Sequence, residues 1–333
     1  MASKPITLQI RPRGRQTWLK PRPAEKHVPL DSLPAHTSTG KPIRSLPESI
    51  DLKPDASTSE LYSELARRTK YSIHQLRVTK GSDGTVVVNS KDTSVHQIGL
   101  REQSTVYVKD LGTQVAWRTV FLVEYFGPIL IHPLMLALRP YIYPSATKEA
   151  SQLQQTLCIL ICLHFVKREL ETLFVHRFSA ATMPLRNIFK NSFHYWILSG
   201  LMIAAFIYSP YSAAAQEPNP LLFYPGLVIF ALGELGNLQT HLTLKGLRSA
   251  GGTERGIPQG FLFNLVTCPN YMTETISWIG VYLLSGLSWG VLIFLIVSVV
   301  QMGQWAAKKE RRYRKEFGDK YKKKKFTMLP GIW

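Results

Sequence analysis

Asn237, His241 and Lys245 recur at four-residue steps, and Arg248 follows three residues later. On a helix that spacing puts all four side chains on one face. An amide, an imidazole and two cations in line suit a polar anionic ligand. A second cluster runs Arg255-Gly256-Ile257-Pro258-Gln259-Gly260 and then Thr267-Cys268-Pro269-Asn270-Tyr271, with Glu274 and Trp278 following Asn270 at four-residue steps. A third is Tyr313-Arg314-Lys315-Glu316-Phe317, with Lys309 one turn before Tyr313. Single polar groups in membrane bundles often serve only interhelical hydrogen bonding. Three clusters converging near one face point instead to a ligand site.

The elements that must position these clusters are apolar. The chain has 333 residues, 45% of them hydrophobic, and a formal net charge of +18. The charge is unevenly spread: 18 basic and 11 acidic residues lie in Met1–Gly112, and 11 basic and 3 acidic in Met302–Trp333. Between them, Thr275–Ala307 runs 33 residues without Asp, Glu, Lys or Arg, and Asn191–Gln216 runs 26. A membrane-crossing helix needs roughly 20 mostly apolar residues, so a purely soluble protein is excluded, as is disorder, which rests on low hydrophobicity. Spans are expected over Gln114–Leu138, Ala150–Val166, Ser192–Ala215 and Leu221–Leu244. The stretch after Glu274 would measure about 50 Å as one helix, so Gly286–Gly290 is expected to break it in two. Six spans result, or seven if Ile257–Thr267 enters the bilayer. Arg118 can reach the interface from its place near the start of the first span; Glu124, deeper in it, is a functional candidate.

Met1–Gly40 offers no apolar core of signal length, so the expected first insertion signal is internal. Lys308-Lys309-Glu310-Arg311-Arg312 and Lys322–Lys325 follow the last span and hold the tail in the cytosol under the positive-inside rule. An even number of spans then places both termini there. The tail's charge serves topology and attraction to anionic lipid; nucleic acid is not an expected partner. Cys158 and Cys162 share a helix face near His164, but a metal site needs more converging ligands, so apolar packing and no metal are expected.

In the N-terminal part, Ile6–Ile10 alternates apolar and polar as a half-buried strand does. Pro21–Pro47 reads as loop. Cap-type residues over Asp55–Glu60 precede Leu61, Leu65 and Ala66 at helical spacing. Strands are expected at Leu76–Val78, Thr85–Val88 after the Asp83-Gly84 turn, and Thr105–Lys109, with a helical turn over Asp92–Ile98. In order and length this resembles a ubiquitin-like β-grasp module. The expected fold is thus mainly α, a polytopic membrane helical bundle. Its organisation is a cytosolic module at 1–112, a membrane domain at 113–307 and a basic tail at 308–333 that completes the ligand site.

Ile257-Pro258-Gln259-Gly260, Leu262-Phe263 and Cys268-Pro269-Asn270-Tyr271-Met272-Thr273-Glu274 with Trp278 resemble the steroid 5-alpha-reductase family. The Cys-Pro-Asn-Tyr version is similar to its very-long-chain trans-2-enoyl-CoA reductase branch. So are Lys167-Arg168-Glu169, Glu171–Phe178 and Met183–Asn191, and so is the ubiquitin-like head. The resemblance covers nearly the whole chain. It implies a multi-pass reductase of the endoplasmic reticulum that converts trans-2-enoyl-CoA to saturated acyl-CoA with NADPH, closing each fatty-acid elongation cycle beside the other elongation enzymes. Carried over by motif, Tyr271 is the proton donor and Lys167 its support, while Asn237, His241, Arg248, Arg255, Asn270, Glu274 and Tyr313 bind NADPH. His241 stands where steroid-reducing relatives carry an acidic residue, and Ser249–Gly256 holds no Rossmann fingerprint.

The chemistry is consistent with those residue types. Hydride addition at Cβ of an enoyl thioester builds negative charge on the thioester oxygen, and a proton must reach Cα. A phenol with an ordinary pKa of about 10 holds its proton at cytosolic pH, and a nearby ammonium lowers the cost of a phenolate. Reduction of another lipid enone, of steroid or polyprenal type, is the alternative within reductases. A methyltransferase using S-adenosylmethionine and a non-enzymatic membrane docking protein are the alternatives outside them.

Overall fold

The computed structural model describes residues 4–13, 43, 45–144, 149–178, 181–249 and 256–332. The chain divides into two compact units, Met1–Gln114 and Val115–Trp333.

The first unit is a four-stranded sheet with one helix. Strands β1 (Ile6–Pro12), β2 (Ser49–Leu52), β3 (Leu76–Lys80) and β4 (Thr105–Asp110) lie in the order β2-β1-β4-β3. β1 pairs antiparallel with β2 and parallel with β4, in register Gln9 to Thr105. The alternation in Ile6–Ile10 buries Leu8 and Ile10, which meet Leu61 and Leu65 of helix α1 (Thr58–Thr69) in the core. α1 starts where its sequence says it should: Ser57 and Glu60 form a reciprocal capping box. β2 carries no clear sequence mark. The strand expected over Thr85–Val88 does not form, and only Val86 makes a bridge, to Thr79. The carbonyls of Val88 and Ser90 turn instead to the Thr58 hydroxyl, at 2.6 and 3.1 Å. Most of the Pro21–Pro47 loop lies outside the described residues.

The second unit is helical. α2 (Trp117–Ala137) is followed by the single turn α3 (Arg139–Ile142) and by α4 (Gln152–Leu170), which Ser151 and Gln154 cap reciprocally. α4 continues into a π-helical turn, Glu171–Val175. α5 (Arg186–Ser192), a π-helical stretch (Phe193–Met202) and α6 (Ile203–Tyr208) form one helical run. Then come α7 (Pro220–Gly246), α8 (Pro269–Leu284) and α9 (Trp289–Phe317). Among the described residues, three helices are long and apolar enough to cross a membrane, beginning at Trp117, Pro220 and Trp289. Ile257–Thr267 holds only a four-residue 3-10 helix, Phe261–Asn264.

The apolar run after Glu274 breaks where its glycine lies. Gly286 has φ +65° and Leu287 φ 63°, a left-handed pair that ends α8 and lets α9 begin. α9 then runs unbroken past residue 308 into the basic segment.

α7 and α8 pack closely because glycines line their contact. A Cβ at Gly233 would stand 2.4 Å from the Ser277 nitrogen, and one at Gly280 2.5 Å from the Phe230 nitrogen. Small residues permit such backbone approach in apolar surroundings. The same pair of helices carries Asn237, His241, Asn270, Tyr271 and Glu274, so their spacing is set by this packing.

Candidate functional site

A cavity of about 530 Å³ opens among the start of α2, the π-helical turn after α4, the end of α7, the start of α8 and the second half of α9. Its walls combine aromatic and cationic groups: Trp117, Phe121, Phe178 and Trp305 against Arg168, Arg177, Lys245, Arg248, Lys308, Lys309 and Arg312. Among the expected site residues, His241, Arg248, Asn270, Tyr271 and Tyr313 line it. Lys167, Asn237 and Glu274 stand behind the wall. Arg255 lies outside the described residues.

Asn270 and Tyr271 enter the cavity because Pro269 starts α8 directly before them. Proline at the first helical position lacks the N–H that would otherwise be unsatisfied there. The first turn then presents these two side chains at the helix mouth. Tyr271 stacks at a tilt on Trp305, ring centroids 6.2 Å apart. The Asn270 side-chain oxygen is buried without a hydrogen-bond partner. Lys309 crosses the Tyr313 ring at 5.7 Å.

Behind the wall, polar groups form one connected system. The Lys167 ammonium donates to Asn237 Oδ1 at 2.9 Å and pairs with Glu234 Oε2 at 2.7 Å. Asn237 Nδ2 donates to the Asn270 carbonyl at 2.9 Å. His164 stands between two carboxylates, Nδ1 2.7 Å from Glu234 and Nε2 3.2 Å from Glu274. Lys167 therefore reaches Tyr271's turn through Asn237 and the Asn270 main chain, a route the motif alone does not reveal. Glu274 braces His164 and does not line the cavity.

A second group surrounds Arg168. Its guanidinium lies 2.5 Å from Glu171 Oε2, donates to the Tyr125 hydroxyl at 3.0 Å and sits 5.1 Å from the Tyr125 ring. His241 Nδ1 is 3.0 Å from the same Glu171 oxygen. Glu171, His176 and His241 bring one potential metal-ligand atom each within 4.8 Å of one another. The Arg168 cation already neutralises that carboxylate. Burial lowers the His176 pKa to about 3, so its imidazole is neutral at pH 7 and its buried Nδ1 has no partner.

Glu234, Glu171 and the aromatic wall are not among the residues the sequence singles out; His164, an alternative proton donor on sequence grounds with His176 and Tyr195, is held between two carboxylates behind the wall. Glu234 carried a signal, being a charge three residues before Asn237 within an apolar helix. Trp117 and Trp305 carried none, since interfacial tryptophans are common at helix ends.

A profile described as 3-oxo-5-alpha-steroid 4-dehydrogenase matches residues 181–333. A Schizosaccharomyces pombe protein assigned by name to the enoyl reductases is 43% identical over 295 residues, covering 88% of this chain and 97% of that protein. The very-long-chain enoyl-CoA reductase of Dictyostelium discoideum is 38% identical over 290 residues, covering 85% and 94%. The Homo sapiens trans-2,3-enoyl-CoA reductase-like protein is 33% identical over 247 residues, covering 72% and 67%.

Proposed function

The chain belongs to the very-long-chain enoyl-CoA reductase family, an oxidoreductase family, and from that membership we propose that it reduces trans-2-enoyl-CoA to saturated acyl-CoA with NADPH. The observation that carries the reading is the position of Tyr271, at the mouth of α8 in a cavity walled by cations and aromatic rings.

The residues present fit a dinucleotide. The volume of about 530 Å³ falls within the roughly 300–1,000 Å³ of small-molecule sites. Arg248 and Lys245 on one side and Lys308, Lys309 and Arg312 on the other match a polyanion. The orphaned Asn270 Oδ1 offers an acceptor suited to a carboxamide N–H, and the rings of Trp117 and Phe178 offer stacking faces. When bound, NADPH supplies a hydride for Cβ of the enoyl thioester.

The chain's own residues do the rest. Tyr271 holds the proton at its hydroxyl and delivers it to Cα. Lys309, on the same cavity wall, offsets the negative charge that Tyr271 acquires. Lys167 acts at one remove, holding the first turn of α8 through Asn237. Arg168, fixed by Glu171 and Tyr125, gives the wall a cation that cannot swing away.

The acyl chain stays in the bilayer while the nucleotides enter from the cytosol. Six spanning segments, built on α2, α4, the α5–α6 run, α7, α8 and α9, put both termini on the cytosolic face of the endoplasmic reticulum. There the enzyme completes the fatty-acid elongation cycle alongside the other elongation enzymes. The mixed β2-β1-β4-β3 sheet with α1 on one face supports reading the first unit as a ubiquitin-like β-grasp head. Purified protein supplied with trans-2-enoyl-CoA and NADPH yields saturated acyl-CoA on this reading. Turnover of a steroid enone, with none of enoyl-CoA, would refute it.

A further inference from the structure

The C-terminal segment after α9 folds back onto the start of α8, and three independent contacts hold it there. Phe326 bridges Val266 in parallel, and the Cys268 N–H donates to the Thr327 carbonyl at 2.9 Å. That N–H belongs to the residue capping α8, whose own side chain caps nothing. Glu310 of α9 is buried at 3% exposure. Its Oε2 accepts from the Tyr321 hydroxyl and from the Thr267 hydroxyl, both at 2.5 Å. Met328 is fully buried and packs with Cys268, Met302 and Ala306, a cluster against which Tyr271 also rests.

Each contact ends within a few residues of Tyr271. Thr267 and Cys268 are the two residues before Pro269, and the Met328 cluster touches Tyr271 itself. Tyr321 also meets the Tyr313 ring edge-on, centroids 5.3 Å apart. A carboxylate accepting two hydroxyls on one oxygen is a strong, directional clamp, and it ties α9 and the segment after it to Thr267, 43 residues before Glu310.

We propose that residues 318–332 form a strap that sets the position of Tyr271, with Glu310 as the positioning residue that fastens it. The inference rests on the reading of Tyr271 as proton donor and adds to it what holds the phenol in place. Glu310 touches neither substrate nor cofactor. It acts by fixing the turn from which Tyr271 projects, where a displacement near 1 Å can cost about a hundredfold in rate.

The test is steady-state kinetics of the full-length protein with trans-2-enoyl-CoA and NADPH. Glu310→Ala lowers kcat about tenfold or more, with KM for either substrate changed less than about twofold. Glu310→Gln, which keeps an acceptor oxygen, restores most of that loss. Tyr321→Phe removes one hydroxyl and no packing, and gives a smaller fall in kcat alone. In a Tyr271→Phe background, Glu310→Ala causes no further loss, because residues that act as a unit are non-additive. Losses that multiply in that background, or that fall on KM alone, overturn the strap and leave the role of Tyr271 intact. A Tyr271→Phe enzyme of normal turnover overturns the proton donor, and the strap's purpose with it.

Discussion

The Lys167 ammonium reaches the Asn237 side-chain oxygen at 2.9 Å, and Asn237 passes that contact on to the main chain of Asn270. A cation on α4 thereby braces the first turn of α8 across α7. Lys167 also pairs with Glu234 at 2.7 Å, so its removal has two consequences: the brace is lost, and Glu234 keeps only His164, 2.7 Å from its other oxygen, as a close partner.

Lys167→Met is therefore expected to destabilise the fold as well as lower the activity, by about 1–3 kcal/mol, as losing a hydrogen bond to a half-buried charged group does. Lys167→Met with Glu234→Gln removes both charges and recovers most of the stability but not the rate. Thermal unfolding in detergent measures this. An unchanged melting temperature in Lys167→Met would show that Glu234 does not need Lys167 and that His164 suffices.

Arg248, which the sequence spacing put on the helix face of Asn237, His241 and Lys245, lies just beyond the end of α7 and lines the cavity. If it reads the 2′-phosphate that distinguishes NADPH from NADH, Arg248→Ala lowers kcat/KM for NADPH about tenfold or more and leaves NADH nearly unaffected. Titrating both nucleotides against both proteins decides it. Equal losses with the two nucleotides would assign Arg248 to a phosphate they share, or to the Arg177 carbonyl it contacts.

In the first unit, hydrogen bonds from Arg67 and Arg68 lower the Glu64 pKa to about 2. A carboxyl depressed in the folded state stabilises above its unfolded pKa, near 4.3, and that stability is lost as pH falls toward 2. The group is solvated, so the effect stays below about 1 kcal/mol. Urea unfolding of Met1–Gly112 at pH 7 and pH 3 reads the difference, and Glu64→Gln should shrink it. An identical pH response in both proteins would place the loss elsewhere.

Gly233 is expected to be intolerant of a side chain. A Cβ there would meet the Ser277 main chain at 2.4 Å, forcing α7 and α8 apart. Overpacking costs about 1–3 kcal/mol, and the shift separates Asn237 from Asn270. Gly246→Ala, where nothing lies within 4 Å of the added carbon, is the control. Equal thermal stability of the two variants would contradict the close packing.

Much of this architecture was legible in the sequence, for identifiable reasons. The Ser57 and Glu60 capping box, the alternation of Ile6–Ile10 and the glycine break at Gly286 are local signals, and the structure keeps them. The four-residue steps of Asn237, His241 and Lys245 correctly put them on one face of α7, yet Asn237 is 1% exposed and faces Lys167 rather than the cavity. Periodicity assigns a face; it does not say what lies across it. Glu274 shows the same limit, since its partner His164 is 110 residues away in sequence. Thr85–Val88 failed for the opposite reason: its β-branched residues favour a strand, but the Thr58 hydroxyl, supplied by a distant helix start, takes the carbonyls that would continue one. The fold-back of Phe326–Met328 onto Val266–Cys268 has no sequence mark, because it is made by main-chain pairing and one buried methionine rather than by a periodic pattern.

The central claim is that Tyr271 supplies the proton, and Tyr271→Phe tests it most directly because only a hydroxyl is removed. Turnover of trans-2-enoyl-CoA should fall by about a hundredfold to ten-thousandfold, the usual share of general acid catalysis. NADPH affinity, measured by fluorescence titration, should change less than about twofold. A Tyr271→Phe protein that reduces enoyl-CoA at a near-normal rate would contradict the account and move the donor to another hydroxyl or imidazole of the cavity.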